Sequence, residues 1–150
     1  MERVTGIGGV FFRSGDPERL AAWYEQHLGV TSGLQWDMVW QQEAGPTVWA
    51  PFPQNSDYFP PAQQVMVNFR VSDLDAMLAQ LLAGGVTHDG DVVEAAGVGR
   101  FAHFRDPAGT RFELWEPPGS PPTVSERALP FADPLLGGPA RSRCSQASGR

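Results

Sequence analysis

An internal repeat is the feature that most constrains the fold of this 150-residue chain. The pair Phe12-Arg13 recurs as Phe69-Arg70, an offset of 57 residues. A duplicated segment of this size indicates one supersecondary unit used twice, and each copy needs its sister to bury the second face of its sheet. The repeat therefore predicts a domain built from two similar modules.

Each copy is expected to begin with a strand and a helix. In the second copy, residues 65–71 alternate apolar and polar side chains with the period of a strand. The first helix has Asp16 as its N-cap and Gly29 as its stop signal. The second helix carries an apolar stripe over residues 74–82 and ends at Gly84. The two copies therefore share the order strand, then helix.

Further strands are predicted after each helix. Residues 35–42 and 47–52 of the first copy match residues 99–105 and 110–116 of the second, with a turn between the members of each pair. Residues 92–95 are the candidate for an additional strand in the second copy. Each unit is thus read as βαβββ.

The predicted fold class is α+β, with two βαβββ modules whose sheets curve around a cavity and whose helices lie outside. The modules comprise residues 4–53 and 65–117, and residues 54–64 form the linker between them. Together they make a folded domain of residues 1–117.

The segment 118–150 has a different composition. It contains 6 Pro, 4 Gly and 5 Ser in 33 residues, without sustained periodicity. Such a segment cannot bury enough apolar surface to offset the conformational entropy lost on ordering. We therefore expect a flexible, Pro/Gly/Ser-rich tail.

Composition excludes several functions. All 11 basic residues are arginine, which excludes lysine Schiff bases and the Walker phosphate-binding lysine. The net charge of −6 disfavours nucleic acid as a partner, and the single Cys144 cannot form an internal disulfide. No apolar run approaches the roughly 18 residues of a spanning helix, and the N-terminus lacks a signal-peptide pattern. We therefore expect a cytoplasmic protein without membrane contact.

The stretch 104–117, an Asp-Pro-x-Gly turn that leads into a strand carrying Glu113, is the most specific motif. With residues 6–12 and the helix 16–29, it resembles the vicinal oxygen chelate superfamily, which includes glyoxalase I, bleomycin-resistance proteins and extradiol dioxygenases. The resemblance covers residues 4–117. It implies a glyoxalase-like fold, a small-molecule ligand and a homodimer, but no single reaction, because this fold hosts enzymes and pure binding proteins alike.

The resemblance also implies where a metal would bind. In metal-dependent members the ligands occupy positions that correspond here to Gly9, Ala50, Met66 and Glu113. Glu113 alone among them can bind a divalent metal through oxygen or nitrogen, whereas a catalytic site normally needs about three protein ligands. We therefore expect no cofactor at this position. A metal-dependent alternative would use Glu113 and His103.

Glu113 is the central catalytic candidate, with Arg70, Arg111 and His103 beside it. Strand alternation directs Glu113 and Arg111 into the predicted cavity. Two interpretations remain open: a buried carboxylate paired with an arginine for stability, or a proton-transfer base with Arg70 or Arg111 as its oxyanion partner. His103 is the histidine that the sequence places nearest the cavity.

Apolar and aromatic residues on the predicted strands suggest either a core or the wall of a pocket for a planar ligand. In the linker, Tyr58 and Phe59 are candidates for residues that cover the cavity mouth. The predicted substrate-binding residues are Trp36, Met38, Trp40, Trp49, Phe52, Met66, Asn68, Phe101 and Trp115.

Three functions are compatible with these features. The first is a glyoxalase-type lyase or isomerase that moves a proton beside a carbonyl group, with Glu113 as the base. The second is a bleomycin-resistance-type protein that sequesters a flat molecule without catalysis. The third is a metal-dependent lyase or dioxygenase using Glu113 and His103, against which the missing ligands count. The sequence favours a protein that acts on or binds a small apolar or aromatic molecule without the usual metal site.

Overall fold

The computed structural model describes residues 1–33 and 39–119. The predicted site residues Trp36 and Met38 and nearly all of the predicted tail lie outside the described residues. Neither of the two helices in the described residues has the length and apolar character needed to cross a membrane. The elements are α1 (Pro17–Leu28), β1 (Asn68–Arg70), α2 (Leu74–Ala83), β2 (Val93–Ala95), β3 (Gly99–Arg105) and β4 (Arg111–Glu116).

Both helices begin at the aspartates that the repeat places 57 residues apart. Asp16 accepts a hydrogen bond from the backbone N–H of Arg19 at 3.1 Å, and Asp73 accepts one from that of Ala76 at 2.9 Å. These bonds satisfy backbone donors that a helix start leaves without an intrahelical partner. Gly29 ends α1 with a φ of 68°, a left-handed conformation that glycine adopts without a steric penalty. The predicted caps are therefore confirmed.

The four strands form one mixed sheet in the order β1-β4-β3-β2. β1 runs parallel to β4, and the other neighbours are antiparallel. In the centre of β4, Glu113 is in register with Asn68 on β1 and His103 on β3. Residues directly opposite each other on neighbouring strands project from the same face. The sheet therefore brings these three side chains together.

The hydrophobic core lies between α2 and one face of this sheet. Leu74 and Leu81 of α2 pack against Phe104, Phe112 and Leu114, and all five are fully buried. Strand alternation then sends the intervening residues to the other face. That other face is called the site face below, defined by Asn68, Phe101, His103, Glu113 and Trp115. These elements form one βαβββ unit, and the α+β glyoxalase-like class is confirmed.

The first repeat differs from its prediction. α1 forms, but the structure assigns no strand to the described residues 1–13 and 39–53, where strands were expected. Apolar side chains there face solvent, with Phe11 92% and Trp49 85% exposed. An extended segment becomes a strand only when a neighbouring strand accepts and donates its backbone hydrogen bonds. In the described chain no strand partner is assigned to residues 1–13 and 39–51. The boundaries 4–53 and 65–117 stay a prediction.

Candidate functional site

Glu113 lies at the centre of a polar cluster on the site face, with 1% of its own surface exposed. Its Oε1 accepts a hydrogen bond from Asn68 Nδ2 at 2.5 Å, and its Oε2 lies 2.8 Å from His103 Nε2. The His103 ring nitrogen is within ion-pair distance, although the geometry is not that of an aligned hydrogen bond. A carboxylate removed from water needs such polar neighbours, because an uncompensated buried charge is very unfavourable.

Tyr58 completes the cluster from the linker. Its hydroxyl donates a hydrogen bond to Glu113 Oε2. Its ring stacks on Phe52, with centroids 5.2 Å apart and planes at 20°, and meets the His103 ring edge-on at 5.2 Å. Burial, followed by the negative charge of Glu113, raises the pKa of Tyr58 well above its usual range, against a lowering by Arg111. The phenol therefore stays neutral and remains a donor at physiological pH.

The linker is fastened to the beginning of β4. Gln63 donates from Nε2 to the carbonyl of Arg111 at 2.7 Å, and its Oε1 accepts from the Arg111 backbone N–H at 2.9 Å. The Arg111 guanidinium donates to the carbonyl of Tyr58 at 2.9 Å. Because one residue of β4 holds the linker at two points, the ring of Tyr58 is positioned over Glu113.

The described structure places no arginine against Glu113, although the sequence suggested such a pair. Arg111 donates to the Tyr58 carbonyl, and its Nε lies 3.7 Å from a carboxylate oxygen of Asp89. Arg70 donates to the carbonyls of Glu43 at 2.7 Å and Pro46 at 3.0 Å. Both guanidinium groups therefore bind elsewhere. Strand alternation indicated that Arg70 and Arg111 point to the same side of the sheet as Glu113. It did not indicate that their long side chains extend beyond Glu113 to other partners.

The predicted aromatic wall is only partly assembled around the cluster. Phe101 and Trp115 stack with planes at 4° and centroids 6.3 Å apart, and Phe52 stacks on Tyr58. Trp40 instead contacts Phe69, a residue of the core side, with centroids 6.2 Å apart. The mostly exposed Trp49 forms no wall, and Met66 is half-buried two positions before Asn68.

Two surface concavities lie away from the cluster. One, of about 390 Å³, is lined in part by Trp23 and His88, and another, of about 250 Å³, by Asp16 and Leu20. Neither is lined by Glu113. The polar cluster contributes to neither concavity, and the half-buried Tyr58 lies against it.

The donor groups at Glu113 do not fit the catalytic metal site that the superfamily resemblance implies. Glu113 and His103 offer one carboxylate and one imidazole, and no group of three His, Cys, Asp or Glu able to hold a metal occurs in the described part of the chain. Both carboxylate oxygens already accept hydrogen bonds, from Asn68 and Tyr58. With Gly9, Ala50 and Met66 at the other family positions, the required three protein ligands are not supplied.

Comparison with known proteins places the chain in a family. A family model described as a glyoxalase-like domain matches residues 9–115. Because this match covers more than half of the chain, the chain belongs to the glyoxalase-like domain family, and the resemblance to the vicinal oxygen chelate superfamily is confirmed. A comparison with curated proteins finds no significant match.

Solved structures with similarity to this chain are described as glyoxalase-related or ligand-binding proteins. A glyoxalase family protein from Enterococcus faecalis is 23% identical over 43% of this chain and 52% of its own, with a TM-score of 0.34. A glyoxalase/bleomycin resistance protein from Streptomyces sp. CB03234 is 36% identical over 33% of this chain and 42% of its own, with a TM-score of 0.29. TnmS3, an antibiotic binding protein from the same Streptomyces strain, is 25% identical over 69% of this chain and 88% of its own, with a TM-score of 0.43. The chain thus spans about half of the first two structures.

The two tyrosines give a spectroscopic test of the site. Tyr24 donates to Asp106 at 3.0 Å, and burial, followed by the Asp106 charge, raises its pKa as well. We expect no tyrosinate absorbance as the folded protein passes pH 10, and titration near pH 10 when it is unfolded. Since the folded state then binds more protons than the unfolded state, the free energy of unfolding falls as pH rises above about 10.

Single substitutions show how much each tyrosine contributes to the suppressed ionisation. In Tyr24→Phe the remaining signal reports Tyr58, and in Tyr58→Phe it reports Tyr24. A Tyr58 that ionises near pH 10 in folded Tyr24→Phe would show that its hydroxyl is not held against Glu113.

Proposed function

We propose that this chain binds a small, planar, apolar or aromatic organic molecule on the site face, and that it does so without the metal of its superfamily. The observation that carries the proposal is the polar group of Glu113, His103, Asn68 and Tyr58 beside stacked aromatic rings, with Glu113 and His103 buried at its centre. Ligand sites in proteins combine apolar walls with a few convergent polar groups that set orientation. This face has both.

The aromatic rings are expected to supply most of the affinity. Phe52 is half-buried and already stacks on one flat ring, that of Tyr58. Burying a ligand ring against such a side chain contributes on the order of 1.5–3 kcal/mol from buried area and stacking. The polar cluster would then select the orientation.

Binding of naphthalene derivatives, followed by equilibrium dialysis, tests this proposal. We expect saturable binding at one site per chain, and a loss of about tenfold in affinity in Phe52→Ala. Phe11→Ala is the matched control, because Phe11 is also an aromatic outside the sheet but is exposed, and its removal should leave affinity unchanged. Binding that is absent, or equally weakened by both substitutions, would contradict the proposal.

A second candidate function is proton transfer to or from the bound molecule. It is supported by the 2.8 Å contact between Glu113 Oε2 and His103 Nε2, which joins two groups able to accept and release protons. On a substrate with an acidic proton beside a carbonyl, Glu113→Gln should abolish turnover and leave affinity nearly unchanged, because the loss falls on the transition state. Turnover that persists in Glu113→Gln would leave binding alone as the function.

We infer that a second copy of the chain is a partner. The segments 1–13 and 39–51 have strand-like sequences and exposed apolar side chains, and no strand is assigned to them in the described chain. A second copy presents the same segments and would cover their exposed apolar side chains. Light scattering at micromolar concentration should give a dimeric mass.

A pair of substitutions tests whether these segments, rather than any exposed apolar residue, form the dimer interface. Phe11→Ser should shift the mass toward the monomer, since an exposed aromatic ring loses its buried area in the dimer. Val93→Ser, at an exposed site in the second module, should not. A monomeric wild-type protein at these concentrations would refute the inference.

A further inference from the structure

Tyr58 differs from the other partners of Glu113 in where it comes from. Asn68 and His103 are fixed on the strands that flank β4, in register with Glu113. Tyr58 reaches the same carboxylate from the linker, 55 residues earlier in the chain. Its ring is the partner that can leave the carboxylate without breaking a strand pair. The site therefore has a fixed part, carried by the sheet, and a removable part, carried by the linker.

The removable part has the form of a small aromatic ligand. The ring of Tyr58 lies flat on Phe52 and edge-on to His103, and its hydroxyl ends at Glu113 Oε2. We propose that the Tyr58 side chain occupies the ligand position, and that the ligand is a planar aromatic molecule with an uncharged hydroxyl donor, that is, a neutral phenol. This inference rests on the proposed function and specifies its ligand class.

The groups around the Tyr58 ring each select for one property of such a ligand. Glu113 Oε2 requires a donor, because a buried carboxylate oxygen that loses its hydrogen bond is left with an uncompensated desolvation penalty. Phe52 and His103 require a flat ring. A ligand carboxylate would meet the charge of Glu113 at close range and be repelled. The rise in the pKa of Tyr58 agrees with this, since the same surroundings keep a phenol neutral.

Tyr58 then acts as an internal competitor. The backbone N–H of Tyr58 donates to Ser56 at 3.3 Å and its carbonyl accepts from Arg111 at 2.9 Å, so the ring is held in the site when no ligand is present. A ligand binds only in the fraction of molecules whose Tyr58 ring has moved aside, and its apparent dissociation constant is raised by the inverse of that fraction. Removing the Tyr58 ring should therefore tighten binding of a neutral phenol. Removing a residue that only lines the site should not.

Three probes with one ring system test this on the full chain by equilibrium dialysis: 2-naphthol, 2-methylnaphthalene and 2-naphthoate. We expect Tyr58→Ala to bind 2-naphthol about tenfold or more tighter than wild type. The gain for 2-methylnaphthalene should be clearly smaller, and 2-naphthoate should remain the weakest ligand. Phe59→Ala is the matched control, since Phe59 is the next linker residue and also contacts Phe52, and it should not tighten binding of 2-naphthol.

The possible results separate the two proposals. Weaker binding of 2-naphthol in Tyr58→Ala, or an equal gain for 2-naphthol and 2-methylnaphthalene, would overturn the phenol inference and leave the proposed aromatic-binding function standing. No binding of any probe to wild type or variants would overturn both. If Tyr58→Ala does not fold, Tyr58→Phe replaces it. That variant keeps the ring and lacks the hydroxyl that holds it, so it should still bind 2-naphthol severalfold tighter than wild type, and unchanged or weaker binding would overturn the inference.

Discussion

Replacing Leu81 by alanine is expected to lower the free energy of unfolding by about 2–5 kcal/mol. Leu81 is fully buried and packs in the cluster that joins α2 to the sheet through Phe104, Phe112 and Leu114. The truncation loses the transfer free energy of the removed atoms and leaves a cavity that rigid neighbouring rings fill poorly. Urea unfolding at a fixed protein concentration, with the midpoint and slope fitted separately, measures the change.

Leu82→Ala provides the matched control for this experiment. Leu82 is the next residue of the same helix and is 51% exposed, so the substitution changes the same chemistry with little loss of packing. We expect a change within about 0.5 kcal/mol. Equal destabilisation by the two substitutions would mean that α2 presents a different face to the sheet.

Glu113→Ala is expected to destabilise the protein by on the order of 3 kcal/mol, which is large for the loss of one polar side chain. The substitution removes the shared acceptor of Tyr58 and Asn68 and the carboxylate beside His103, and the buried His103 would be left without it. Glu113→Gln should cost less, because its amide keeps one acceptor oxygen and nearly the same volume. Thermal and urea unfolding measure both variants.

Glu94→Ala is the control for removing a glutamate from this sheet. Glu94 lies on β2 and is exposed, so its removal should change stability by no more than about 0.5 kcal/mol. If Glu113→Ala were as mild as Glu94→Ala, the buried cluster would not contribute to folding, and the structural interpretation of Glu113 would be excluded.

Local features of the fold were predictable because a few neighbouring residues determine them. An aspartate followed by a helix-forming run caps a helix wherever it occurs, and Asp16 and Asp73 both do so. The turn from Asp106 to Gly109 closes with a backbone hydrogen bond of 2.9 Å between these residues. Strand alternation then correctly assigned Phe112 to the core and Glu113 to the opposite face.

In the described residues of the first repeat, the predicted strands are not assigned, and the reason is that strand formation depends on distant residues. Alternating apolar residues show that a segment is suited to a strand, but a strand exists only where another backbone pairs with it. Residues 68–70 have β4 as that neighbour, whereas no strand partner is assigned to residues 47–51 within the described chain. Pairing is a property of the assembled molecule.

The sequence by itself determined the class of fold, the family and the central place of Glu113, because these depend on a local motif and on a repeat that can be read along the chain. The tertiary structure alone decided the partners of Glu113. Asn68 and Tyr58 lie 45 and 55 positions away, and their contacts follow from strand register and from the fastening of the linker. Charge complementarity suggested an arginine as the partner of Glu113, but the backbone path determines which side chain comes within hydrogen-bonding distance.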